Sequence, residues 1–149
     1  MKRIIKDGQI VADAWRLLPA EGDLGDLAAA GELLLLPLAH WLALAAPQHG
    51  VWLAPEDEFD ALLPALPRIP LIAVHFPSFT DGRGYSLARL LRQRYGFSGE
   101  LRAIGDVLRD QLYFLQQCGF NAFDLRADQP LDEALVALRD YSWTPLAGR

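Results

Sequence analysis

The sequence contains very little cysteine and very little lysine. Cys118 is the single cysteine among 149 residues, so the chain cannot form an internal disulfide. It also cannot build an iron–sulfur cluster or a multi-cysteine zinc site by itself. We therefore expect any redox role to depend on a cofactor held by a partner. Lys2 and Lys6, the two lysines, both lie near the N-terminus, which argues against a catalytic or Schiff-base lysine.

Long apolar runs and a net positive charge are also missing. The longest apolar stretch, residues 33–47, is interrupted by Pro37 and His40 and is shorter than the roughly 20 residues of a membrane-spanning helix. Residues 1–10 lack the apolar segment of a signal peptide, so we expect a cytoplasmic protein without a membrane partner. The formal net charge of −5 argues against general binding of nucleic acid.

Several cofactor motifs are absent as well. Gly82-Arg83-Gly84 is followed by Leu87 where a dinucleotide-binding pattern needs a small residue, and no Gly-Lys-Ser/Thr sequence occurs. The chain has no Gly-x-Ser-x-Gly nucleophile motif. No set of histidine and acidic residues has the spacing of metal ligands. We therefore expect no metal and no cofactor bound by this chain.

The residues that are present predict a single α/β domain. Apolar residues make up 52% of the chain, enough for one core at this length. Asp7-Gly8 between two apolar runs is typical of a β-hairpin, to which we assign residues 1–18, with Trp15 to Leu18 continuing it. We interpret residues 19–31 as a connector, 32–141 as a βα core and 142–149 as a tail.

The core alternates short apolar runs with helical patterns, in about five βα units. This alternation predicts a mainly parallel sheet covered by helices. A doubly wound sheet fits the length best, and an incomplete β/α barrel fits the same pattern. The predicted strands are residues 33–36, 51–53, 69–76, 100–104 and 120–125, and the predicted helices are residues 38–46, 56–66, 85–95, 107–118 and 131–141.

The loop from Phe76 to Ser86 is the most unusual segment. It follows a buried strand and precedes a helix, and in parallel α/β folds ligands bind where the strands end. Its glycines allow close approach of the backbone to a ligand, and its arginine suits an anion. The alternative is a turn and helix cap. The candidate anion-binding residues in this loop are Asp81, Gly82, Arg83, Gly84 and Ser86.

Four further residues lie at predicted strand ends or helix starts. Arg102 is either a ligand contact or half of an ion pair with Glu100 or another acid. Asp106 and Arg109 open the next helix and are also candidate anion-binding residues, with an N-cap and a solvated face as the structural alternatives. His75 is the candidate general base, with a core histidine as the alternative.

Four stretches of the sequence together resemble a known family. The residues that carry the resemblance run from Phe76 to Ser86, from Leu90 to Arg92, from Gly99 to Gln111 and from Cys118 to Phe120. They are similar to a family of small uncharacterised proteobacterial proteins labelled as oxidoreductases of sulfite reduction, whose genes lie beside that of sulfite reductase. The resemblance implies a role in cysteine biosynthesis. It implies no catalytic residue, because the family has none agreed.

Three hypotheses follow for function. The first is an accessory protein that assists sulfite reductase or its electron donor without a cofactor of its own. The second is an enzyme or binder of a small oxyanion or a phosphorylated metabolite at the glycine–arginine loop. The third is an interaction module without a ligand. The sequence leaves open whether the chain is catalytic and whether it forms a homo-oligomer.

Overall fold

The N-terminal hairpin turns at Asp7 and Gly8, which both adopt positive φ angles, 50° and 76°. This is the backbone conformation that a two-residue hairpin turn requires, and the prediction from the sequence is confirmed. The computed structural model describes residues 2–22, 31–44 and 47–142. Its strands are β1 (Arg3–Lys6), β2 (Gln9–Ala12), β3 (Arg16–Leu17), β4 (Leu34–Pro37), β5 (Gly50–Leu53), β6 (Leu71–Phe76), β7 (Glu100–Gly105) and β8 (Ala122–Phe123).

These strands form one sheet with the order β2-β1-β8-β7-β6-β5-β4-β3. From β3 to β8 the neighbours are parallel and follow the order of the chain, while β1 is antiparallel to both β2 and β8. A doubly wound sheet requires a point where the strand order reverses, and the parallel strands described here have none. The sheet curls into a half-barrel, so the mixed α/β prediction is confirmed in its incomplete-barrel form.

From β4 to β8 the connections between the parallel strands are short helices. Pro64 and Pro67 lie inside the connection between β5 and β6, which is a 3₁₀ helix because each proline removes a backbone donor. The connection between β6 and β7 is an α-helix that ends in one π turn. The helical elements are α1 (Leu38–Leu44), a 3₁₀ helix (Asp60–Arg68), α2 (Arg83–Arg89), the π turn (Leu90–Arg94), a 3₁₀ turn (Arg109–Gln111), α3 (Leu112–Gln117) and α4 (Leu131–Ser142).

The two faces of the sheet differ in what covers them. The large core cluster joins the helices to strand residues such as Val74, Leu101 and Ala103. Side chains alternate along a strand, so Arg102 and Ile104 point to the opposite face. No described helix contributes to the small apolar cluster there, which we call the open face: Leu35, Leu71, Ala73 and Ile104, with Trp15 and Trp52 packed against it.

Some predicted boundaries need correction. Residues 13–18 are not part of the hairpin, which ends at Ala12; Arg16–Leu17 instead pair with β4 at the far edge of the sheet. Strand β8 covers two residues where residues 120–125 were predicted, since only Ala122 and Phe123 pair with β1 and β7. Most of the predicted connector and tail lie outside the described residues. No helix in the described part of the chain is long and apolar enough to cross a membrane.

Candidate functional site

The open face carries a buried network of charges. Arg102 donates to Glu100 on its own strand, at 2.8 Å from Nε, and to Asp13 after the hairpin, at 3.0 Å from Nη1. Lys6 on β1 lies 3.2 Å from the other oxygen of Glu100. The Arg102 side chain is only 3% exposed, and two carboxylates and two cations balance within the network. The ion-pair interpretation of Arg102 is confirmed for Glu100, and Asp13 is a partner that the sequence did not predict.

A cavity of about 560 Å³ lies beside this network, where β6, β7 and β8 end. The residues that line it include apolar side chains such as Trp15 and Leu35. Its volume falls in the usual range of sites for small organic molecules. The charged side chains in its wall are Lys2, Arg16, Arg102, Arg126, Asp13 and Asp124, four basic and two acidic.

His75 occupies the centre of this region. It is half-buried at the end of β6 and lines the large cavity together with two neighbouring cavities of about 460 and 280 Å³. Its ring lies 5.7 Å from that of Trp52, centroid to centroid. Among the described residues, neither ring nitrogen has a hydrogen-bond partner. The imidazole is therefore available to a ligand in any of the three cavities.

Gly105 sets how closely β7 approaches this histidine. Its φ of 94° disfavours any residue with a Cβ, and a Cβ there would lie 2.5 Å from the Phe76 carbonyl oxygen and 2.9 Å from His75 Cδ2. Glycine at this position thus preserves both the backbone turn after β7 and the position of the imidazole.

Replacing Gly105 by alanine should therefore lower the free energy of unfolding by about 1–3 kcal/mol. Urea denaturation followed by tryptophan fluorescence measures this change. Gly82→Ala is the matched control, since Gly82 has a φ of −79° and open space around its Cβ position. Equal stability of the two variants would show that the turn after β7 is not strained by a side chain.

The loop from Phe76 to Ser86 is held together internally. Asp81 accepts bonds from the backbone amide and the guanidinium of Arg83, at 3.1 Å from N and 2.8 Å from Nη2, which forms an Asx turn just before α2. These bonds hold the pKa of the Asp81 carboxyl down at about 2. The N-cap of α2 is Gly82, without a side-chain capping bond, so of the predicted turn and helix cap the turn is present. A Cβ at Gly84 would lie 2.5 Å from the Phe76 ring, so glycine allows α2 to pack on β6. Gly82 and Ser86 are exposed.

Asp106 joins two loops at the strand ends. One of its oxygens accepts the backbone amide of Phe79 at 2.8 Å, and the other accepts Arg126 Nη1 at 2.8 Å. Arg126 also bonds Asp128, and these carboxylates raise the pKa of its guanidinium, with the bond to Asp128 as the larger cause. Asp106 is thus a connector between loops, and the N-cap interpretation is wrong because its bonds go to other segments.

The three candidate arginines do not meet. Arg83 bonds Asp81 in the loop, Arg109 bonds Glu133 on α4 at 2.8 Å, and Arg102 bonds acids on the open face. Of the three, Arg102 alone lines the large cavity, and His75 lines it too. The structure therefore brings His75 and Arg102 to one cavity and places the other candidates elsewhere.

The remaining histidines and the cysteine lie in other surroundings. Burial lowers the pKa of His49, and its Nδ1 accepts the Leu34 amide at 3.1 Å, a structural role. His40 lines the cavity of about 460 Å³, with a buried Nδ1 that has no hydrogen-bond partner among the described residues. Cys118 is buried in the core, as expected, where Arg89 Nε lies 3.3 Å from its sulfur. No cluster of three potential metal ligands occurs in the described ranges.

Sequence reasoning missed several residues of this site. Arg126 directly follows the predicted strand of residues 120–125, and the strand-end rule that selected Asp106 could have selected it. Lys2, Asp13 and Trp15 come from the N-terminal segment, far along the chain from the strand ends they join. Nothing in the spacing of these residues indicates that they meet β7 and β8.

Comparison with protein families gives one result that covers most of the chain. Residues 50–144 match the model of bacterial proteins of unknown function designated DUF934. The chain belongs to this family. The matched region includes β5 to β8 and with them His75, Arg102 and Gly105, whereas the hairpin and Asp13 lie before it. No curated protein matches the sequence.

Proposed function

We propose that this protein binds a small anionic metabolite in the strand-end cavity and serves cytoplasmic sulfite reduction as an accessory protein. The observation that supports binding is the unbonded imidazole of His75 in a cavity of about 560 Å³ with four basic side chains in its wall. Every one of those cations also has a carboxylate partner, so the site suits a single anionic group better than a highly charged ligand.

The ligand is expected to be larger than sulfite itself. A cavity of this size accepts an organic molecule, and its apolar wall includes Trp15 and Leu35. Burial against such a wall lowers the local dielectric constant, which strengthens a bond between His75 or Arg16 and an anionic group. The pathway is proposed from the sequence resemblance to proteins encoded beside sulfite reductase.

Calorimetry tests the binding step. Sulfite, sulfate, phosphate and adenylyl sulfate are titrated into the native protein and into His75→Ala and Arg16→Ala. A hydrogen bond to a charged group contributes about 1.5–3 kcal/mol, so each variant should weaken the binding of its ligand about tenfold or more. Arg83→Ala is the matched control, because Arg83 bonds Asp81 in the glycine loop.

Two results would contradict this assignment. Binding that is lost in Arg83→Ala and retained in His75→Ala would place the anion at the glycine–arginine loop instead. Absence of heat with all four compounds would remove the cavity as a site for these anions.

The pathway is tested separately in cells. A deletion strain should grow poorly with sulfate as its sulfur source and normally with cysteine, and the native gene should restore growth. The His75→Ala gene should restore it less well at equal protein level. Normal growth of the deletion strain on sulfate would contradict the role in sulfite reduction and leave the calorimetry to decide the binding.

A further inference from the structure

A second surface lies away from the strand-end cavity, on the helical connection between β6 and β7. From Gly82 to Gly99 the sequence contains four arginines and no acidic residue, in a chain whose net charge is −5. The segment includes α2 and the π turn, where the Tyr95 amide donates to the Leu90 carbonyl at 3.1 Å. Single π turns within helices occur frequently at functional sites.

Three of these four arginines have no carboxylate partner among the described residues, and of the three Arg92 is already bonded to backbone carbonyl oxygens. The Arg89 guanidinium lies over the ring of Phe114, 5.9 Å from its centroid, and Arg94 lies over Tyr95 at 5.7 Å. Arg83 and Arg109 differ from them, since each has a carboxylate at 2.8 Å. The charges of Arg89 and Arg94 are thus not neutralised by an acid of the described chain.

Exposed apolar side chains lie beside these charges. Phe114 is 51% exposed and Leu90 is 39% exposed. The Phe114 ring packs against Tyr85, with centroids 5.0 Å apart, which holds it in place. Leu90, Arg89 and Arg94 line a shallow cavity of about 410 Å³. Arginine and aromatic side chains are both enriched where proteins bind each other.

We propose that Arg89, Leu90, Arg94 and Phe114, here called the arginine–aromatic patch, form a docking surface for an acidic segment of another protein. A guanidinium that is covered without a counter-ion loses hydration and gains nothing in return. A stable occupant must therefore bring carboxylates to Arg89 and Arg94 and an apolar side chain to Leu90 and Phe114. Binding of nucleic acid takes many basic contacts to phosphates, whereas two unpaired arginines match the few carboxylates of a short acidic segment.

Fluorescence anisotropy with a synthetic peptide tests the proposal. The probe is a labelled peptide in which glutamates flank a central leucine and phenylalanine, and the control peptide has glutamine in place of every glutamate. We expect the acidic peptide to bind the native protein at least tenfold more tightly, with an affinity that falls as salt is raised. Arg94→Glu and Leu90→Ala should each weaken binding at least fivefold.

Arg3→Glu is the matched control, because it makes the same charge change at an exposed residue of β1. It should leave peptide affinity within twofold of native, and His75→Ala should do the same, so the patch and the cavity are tested independently. Three outcomes overturn the proposal: no binding of the acidic peptide at millimolar concentration, equal weakening by Arg3→Glu, or tighter binding of a single-stranded oligonucleotide than of the peptide.

Discussion

Replacing Arg102 by methionine is expected to lower the free energy of unfolding by about 3–5 kcal/mol. The guanidinium is 3% exposed, and its removal leaves Asp13, whose side chain is 7% exposed, without a cationic partner. Glu100 keeps Lys6 at 3.2 Å, so the loss falls mainly on Asp13. Urea denaturation followed by tryptophan fluorescence measures the difference.

Two further variants make this expectation specific. Adding Asp13→Asn to Arg102→Met should recover part of the lost stability, because the double variant no longer buries an unpaired carboxylate. Arg16→Met removes an exposed pair with Glu32 and should change stability by only about 0–1 kcal/mol. Two results would contradict a role of the network in holding the segment around Asp13 to β7. One is an Arg102→Met variant as stable as Arg16→Met, and the other is a double variant less stable than Arg102→Met alone.

Replacing Arg92 by alanine is the second change with a large expected effect. It should lower the free energy of unfolding by about 3 kcal/mol or more. Its guanidinium donates to the carbonyl oxygens of Phe97, Gly99 and Gly119 at 2.8–2.9 Å and to Asn121 Oδ1 at 3.2 Å. It also lies over the Phe97 ring, 5.6 Å from the centroid. Removal leaves several half-buried acceptors unpaired at once. Burial lowers the pKa of this arginine, yet arginine stays charged in proteins.

Arg92→Lys should recover little of this loss, because one ammonium cannot reproduce the planar fork that reaches separate acceptors. Arg94→Ala is the control two residues along, where an exposed side chain lies over Tyr95, and it should change stability by at most about 0.5 kcal/mol. Thermal unfolding by circular dichroism ranks the three variants. A lysine variant as stable as native would show that charge alone, without the fork, holds these loops together.

Much of the fold could be predicted because its signals are local. The Asp7-Gly8 turn and the continuous apolar run that contains β6 depend on neighbouring residues only. The choice between a doubly wound sheet and an incomplete barrel could not be made, since periodicity reports which face is buried and not which strands are neighbours. For the same reason Arg16–Leu17 was assigned to the hairpin, although it pairs with β4.

The site was predicted less completely, for a related reason. Glu100 and Arg102 are two residues apart on one strand, so their pairing follows from alternation. Asp13 is 89 residues from Arg102 along the chain, and no local pattern connects them. The bonds of Arg92 could not be predicted either, because its carbonyl acceptors come from loops whose positions depend on the whole fold.

The antiparallel pairing of β1 with β8 has a consequence for the order in which the protein can fold. Ile5 pairs with Phe123 and Lys6 with Ala122, so β1 must wait for a strand that is synthesised much later than itself. Neighbouring parallel strands can assemble as the chain emerges from the ribosome, whereas this closure spans more than a hundred residues and carries a larger entropic cost. Until β8 is made, Ile4 and Ile5, both fully buried in the finished protein, are paired only with β2 in the hairpin. A nascent or truncated chain that ends before β8 thus exposes an apolar strand edge to other chains, the hazard for which chaperones exist.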